Sequence, residues 1–224
     1  MIPMLRSLTR STLALTAVAG IGCNGAPAPA SPTQSVAPQS SAARMTGPRI
    51  VGTVVWAPET TKKGAGVVYL EDAPRQPGAA MTAEIDIKNK EFTPFIGVTT
   101  TGSTVTFGNR DSVTHHMFSP DIPGWDTGYL QKNDTVSRKF DGPGAYALLC
   151  NIHPEMIGYL LVIPSTYFGR VGADGKYVIG DVPPGTYKAT AWSPRMTSAT
   201  QSVTVGASGA VTANFELHPA GGPT

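Results

Sequence analysis

Apolar and polar residues alternate with a period of two in much of the chain beyond residue 82. Ala83-Glu84-Ile85-Asp86-Ile87 shows it most clearly, and such alternation is the signature of a half-buried β-strand. Similar short runs lie at 95–98, 104–107, 114–118, 135–140, 145–149 and 159–163. Turn formers separate them at Asn109 to Asp111, Pro120 to Gly124 and Asp141-Gly142-Pro143-Gly144. About seven short strands with regular turns predict an antiparallel β-sandwich. Past the first segment no long stretch carries a helical period.

The pattern continues to the C-terminus. Asp174-Gly175 turns into a strand ending at Ile179, and Val182-Pro183-Pro184-Gly185 turns into one over 188–192. Runs at 202–205 and 211–217 follow around a turn at 206–209. Two further strand-like runs, 50–55 and 67–70, stand well upstream. A unit of about fifty residues is marginal by itself, and isolated early strands would be unpaired edges. Joining them removes both difficulties. The expected organisation is therefore a discontinuous sandwich of residues 49–72 and 165–217, with a second sandwich, 82–163, inserted and 218–224 as a flexible tail. The rival arrangement adds 49–72 to the inserted sandwich as edge strands.

The 224 residues carry a net charge of only +2, too little to argue for nucleic acid or an acidic membrane surface. Residues 1–22 read as a signal peptide: Arg6 and Arg10 precede the apolar run 13–21, which is shorter than the ~20 residues of a membrane-spanning helix. Ala19-Gly20-Ile21-Gly22-Cys23 resembles a bacterial lipobox, which would make Cys23 the lipidated first residue. Gly20 stands where that motif prefers Leu. The alternative is plain secretion, with Cys23 discarded or left as a thiol. Residues 23–48 are rich in Pro, Ala, Ser and Gln, a composition that cannot offset its ordering entropy and reads as a disordered tether. The expected location is the periplasm or cell surface, with the membrane touched only through a lipid at Cys23.

The chemistry concentrates in Cys150-Asn151-Ile152-His153-Pro154-Glu155-Met156, with His115 upstream. Two histidines, a thiolate and a weak axial Met form the donor set of blue-copper electron-transfer centres. Cys150 ends a strand, His153 and Met156 sit on the loop after it, and His115 arrives from another strand. If Cys23 is lipidated or lost, Cys150 has no disulfide partner, which marks a reactive thiol or a ligand. Zinc rarely takes Met, and Glu155 is the only carboxylate in the loop, so hydrolysis has no acid–base pair. A buried cysteine acting merely as a small apolar side chain is the plain alternative.

Residues 83–163 resemble the cupredoxin family through Gly102-Ser103-Thr104-Val105-Thr106-Phe107, Asn109 with Asp111, the His115 region, Gly144-Ala145-Tyr146, and the Cys-x-x-His-x-x-Met loop. The short loop is most similar to amicyanin and to plastocyanin-like proteins associated with methylamine utilisation. The resemblance implies an all-β fold with a Greek-key sandwich and one mononuclear copper, Cu(I)/Cu(II), held by His115, Cys150, His153 and Met156. It also implies that His115 is the ligand of the His115-His116 pair, with His116 replacing the family's Asn as a surface or neighbouring histidine. Asn109 is expected to tie the two ligand loops together. Pro154 stiffens the loop and withholds an N–H from the thiolate. His153, with Ile152, Pro154 and Met117, is expected to form the surface where electrons pass.

The strands at 50–55 and 67–70, with the Asp-Gly-x-Tyr and Pro-Pro-Gly-x-Tyr turns, resemble the carboxypeptidase-regulatory-like (transthyretin-like) sandwich. The function implied is a type 1 copper protein that carries single electrons outside the cytoplasm to an unnamed redox partner protein, not an enzyme and not a nucleic-acid binder. The alternatives are a copper-holding or docking protein, or a metal-free adhesion-like module.

Overall fold

A computed structural model describes residues 47–57, 65–75, 81 and 83–221. The readings of the leader, of Cys23 and of nearly all of the tether lie outside these residues. The described residues form strands and no helix.

Two strands precede the alternating region, β1 (Arg49–Trp56) and β2 (Gly66–Leu70). The next eight are β3 (Ala83–Lys88), β4 (Glu91–Thr93), β5 (Ile96–Thr100), β6 (Ser103–Asn109), β7 (Met117–Phe118), β8 (Thr135–Phe140), β9 (Gly144–Cys150) and β10 (Ile157–Ile163). They make two four-stranded sheets, ordered β4-β3-β6-β8 and β5-β10-β9-β7. The inward residues of both enclose one core, with Ile85, Ile87, Phe107, Leu148 and Leu160 fully buried. Their alternation with exposed residues is why this part of the sequence reads as strands.

The C-terminal strands are β11 (Phe168–Val171), β12 (Lys176–Ile179), β13 (Gly185–Trp192), β14 (Met196–Thr197), β15 (Ala199–Val205), β16 (Ala210–Thr212) and β17 (Phe215–Pro219). The early strands pair with these. β1 lies between β12 and β17, with β16 also on it, and β2 lies between β11 and β13. The expected strand 211–217 is broken in two at Ala213-Asn214. The Asn214 side chain there accepts hydrogen bonds from the backbone N–H and the hydroxyl of Thr53. A second core fills this sandwich and includes Ile50, Val68, Leu70, Ile179 and Leu217.

Two strands are continuous apolar runs because both of their faces are covered. Val68 and Leu70 of β2 face the second core, whereas Val67 packs with Ile96, Val98, Leu161 and Ile163 in a third cluster. Leu160 and Val162 of β10 face the first core while Leu161 and Ile163 face that third cluster. Trp192 packs edge-on to Tyr159 across the same junction, 6.0 Å between ring centres. Arg170 adds a hydrogen bond to the Ile96 carbonyl at 2.8 Å. The sandwich that carries Cys150 is thus mounted on an apolar face through β5 and β10, leaving its β7–β9 side free of that contact.

Candidate metal centre

Cys150 is the last residue of β9, opposite Met117 of β7. Inward alternation leaves its side chain 4% exposed, at one end of the first core. The chain then turns. The Met156 N–H donates to the His153 carbonyl at 3.0 Å, closing a four-residue turn with Pro154 at its second position, where a fixed φ suits it. His115 lies outside a regular strand. The expected run 114–118 shrinks to β7, and His115 is held by reciprocal backbone hydrogen bonds with Leu130 at 3.1 and 2.7 Å.

These elements bring three donors together. The Cys150 Sγ lies 3.8 Å from Nδ1 of His115 and 3.8 Å from Nδ1 of His153, and the two Nδ1 atoms are 3.2 Å apart. A trigonal centre about 2.0–2.1 Å from imidazole nitrogens and about 2.3 Å from a thiolate spaces its donors about 3.5–3.8 Å apart. Both sulfur–nitrogen distances meet that spacing and the nitrogen–nitrogen distance falls short of it, so the cluster suits a small first-row ion once the two rings part slightly. His115 is fully buried and His153 partly exposed, so solvent reaches the group from the His153 side. Met156 is buried in the same core as Cys150.

Asn109 and Met117 differ from their sequence-based expectation. Asn109 donates to the carbonyls of Val113 at 2.8 Å and Leu130 at 2.9 Å. It therefore braces the His115 segment against the 130 segment rather than against the Cys150 loop. A backbone bond joins the His115 and Cys150 segments instead: Asn151 N–H donates to the His116 carbonyl at 2.9 Å. Met117 is fully buried and takes no part in a surface patch. Pairing of β7 with β9 turns its side chain into the core beside Cys150. His116 points away from the donor cluster, with Nε2 3.2 Å from Asp126 and its ring edge-on to Tyr129. Pro154 and Ile152 are exposed.

Sequence reading passed over one residue. Asp111 was legible only as a turn former, yet its Oδ2 lies 3.0 Å from Nε2 of His115. Its spacing of four residues before a candidate ligand histidine is the signal that could have singled it out. Burial depresses the His115 pKa below the ordinary histidine value, against the opposing pull of the Asp111 carboxylate. Burial by itself would raise Asp111, but hydrogen bonds from the Lys90 and Asn89 backbone N–H groups and from His115 outweigh it and hold the carboxyl below the usual range.

Comparison with known proteins gives two separate likenesses. Amicyanin-alpha from Methylorubrum extorquens is 33% identical over 92 residues, 39% of this chain and 76% of amicyanin-alpha. A purple cupredoxin from Nitrosopumilus maritimus is 29% identical, covering 36% of this chain and 98% of that one, with a TM-score of 0.34. An oxidised P94A variant of amicyanin is 24% identical, covering 36% of this chain and 81% of that one, also with a TM-score of 0.34. Residues 165–213 match the family described as polysaccharide lyase family 4, domain II. That match lies in the second sandwich, where the sequence suggested a carboxypeptidase-regulatory-like unit.

Proposed function

The chain belongs to the amicyanin family of cupredoxins, and from that premise we propose that it carries single electrons with one mononuclear copper held by His115, Cys150, His153 and Met156. The convergence of two Nδ1 atoms and one Sγ within 3.8 Å supports the reading most strongly. Copper supplies a one-electron change between Cu(I) and Cu(II), and thiolate with imidazole suits both states. The protein's own part is to keep the donors still. Cys150 is fixed by the β9–β7 ladder, His115 by Leu130, and the 153–156 turn by its internal hydrogen bond. His153, the donor nearest solvent, marks where electrons enter and leave. Exposed Ile152 and Pro154 beside it suit a small, transient interface with a redox partner protein.

In this reading the protein is not an enzyme. It works in the periplasm or at the cell surface, tethered through a lipid at Cys23. The copper-binding sandwich is an insertion within a second, transthyretin-like sandwich built from residues 49–72 and 165–217. The pairing of β1 and β2 with C-terminal strands supports that division. A redox titration of copper-loaded protein tests the function. Reversible one-electron cycling with the metal retained against a chelator is expected for a carrier. Ready surrender of copper without cycling would replace it with a copper-holding role.

A further inference from the structure

A two-residue hairpin turn joins β3 to β4. Lys88 pairs with Glu91, leaving Asn89 and Lys90 at the tip with φ of 56° and 58°. Two successive positive φ values define a type I′ turn, the form that matches the twist of a hairpin. The turn aims both of its central N–H groups at one carboxylate. Asn89 N–H donates to Asp111 Oδ1 at 2.6 Å and Lys90 N–H to Oδ2 at 2.8 Å. Oδ2 also faces Nε2 of His115 at 3.0 Å. The Asp111 side chain is only 11% exposed, and its own N–H is held by Asn109 at 2.8 Å. The neighbouring Arg110 N–H donates to the Ile87 carbonyl at 2.9 Å, which pins the loop to β3.

An ionised carboxylate only accepts hydrogen bonds. The proton shared with His115 must then sit on Nε2, and in the neutral imidazole this leaves a lone pair on Nδ1, the atom facing Cys150 and His153. We propose that Asp111, hung on the Asn89–Lys90 turn, is a positioning residue that fixes both the tautomer and the ring orientation of His115. The turn is thus part of the metal site through its backbone N–H groups. The inference rests on the copper reading for its purpose, but the tautomer readout of its test does not. Carboxylates placed behind ligand histidines act in this way, and removing one typically costs about 10–100-fold in metal affinity.

The test uses the full chain and three variants. Long-range nitrogen–proton correlation spectra of the metal-free protein at neutral pH read the tautomer, and competition titration with Cu(II) reads affinity. Wild-type protein should show His115 protonated at Nε2. Asp111→Ala should lose that single tautomer and weaken Cu(II) binding by about 10–100-fold. Asp111→Asn, which can still turn its oxygen toward His115, should lose less, and it carries the test if Asp111→Ala does not fold. Lys176→Gln, at an exposed residue of β12 in the other sandwich, should match wild type. A His115 protonated at Nδ1 in wild type would overturn the proposal. So would Asp111→Ala with an unchanged tautomer and unchanged affinity. An Nε2 tautomer that depends on Asp111 in a protein taking up no copper would uphold the positioning role and sink the copper reading instead.

Discussion

Gly52 sits in the middle of β1 where the backbone of the Ala213-Asn214 break comes against it. A Cβ added there would overlap the Ala213 carbonyl oxygen and come within 2.7 Å of its carbon and 3.0 Å of a Tyr177 ring carbon. That carbonyl accepts the Tyr177 hydroxyl at 2.7 Å, and the Ala213 N–H donates to Val51 at 2.9 Å. The obstacle is backbone, so no side-chain rotation relieves it. Gly52→Ala must push apart β1 and the 213–214 corner, stretching both hydrogen bonds. Overpacking costs about 1–3 kcal/mol, and a weakened buried hydrogen bond about 1 kcal/mol more. A loss of about 3 kcal/mol lowers Tm by about 6–12 °C in a chain of this size. Thermal unfolding followed by far-ultraviolet circular dichroism reads it, with Gly206→Ala as control. There the nearest atom to an added Cβ lies at 3.8 Å, and the shift should stay within about 1–2 °C for a change of about 0.5 kcal/mol or less. A Gly52→Ala protein as stable as wild type would refute the close pairing of residue 52 with the C-terminal strands.

Other perturbations separate the two sandwiches and the site. Tyr177→Phe strands the Ala213 carbonyl and should cost about 1–2 kcal/mol in denaturant unfolding. Burial raises the Tyr177 pKa, so its stabilisation is fully present below the ordinary tyrosine value and is lost as pH rises toward the raised one. Wild type should therefore lose more stability than Tyr177→Phe above about pH 10. Leu161→Ala opens a cavity in the junction cluster and should cost about 2–5 kcal/mol, leaving the copper spectrum of the folded protein unchanged. Met156→Leu replaces a weak donor with an apolar group, which disfavours the more highly charged Cu(II). The reduction potential should rise, as a redox titration would show.

The alternating strands were legible because each has one wet face. β8 runs over Thr135–Phe140, the range its pattern predicts, and exposed residues alternate with more buried ones along it. The polar–apolar rule gave less help with β2 and β10, whose continuous apolar runs make sense only once a second layer covers their outer faces. β4 and β14 are three and two residues long, too short to carry a period. The break at Ala213-Asn214 depends on a side-chain bond to Thr53, 161 residues away, and no local signal announces it. At the site, Cys150 and His153 were readable from their spacing. The partners of Asn109 and the role of Asp111 were not, because both depend on where residues 89–90 and 130 return in space. Met117 was placed on the surface by adjacency in sequence, whereas the β7–β9 pairing turns it inward.

Visible absorption with electron paramagnetic resonance on the full chain loaded with Cu(II), beside Cys150→Ser, tests for a thiolate-bound copper most directly. Copper held by the Cys150 thiolate should give an intense sulfur-to-copper band and a narrow copper hyperfine splitting, both abolished by the substitution. A colourless protein, or ordinary tetragonal copper signals that persist in Cys150→Ser, would contradict it.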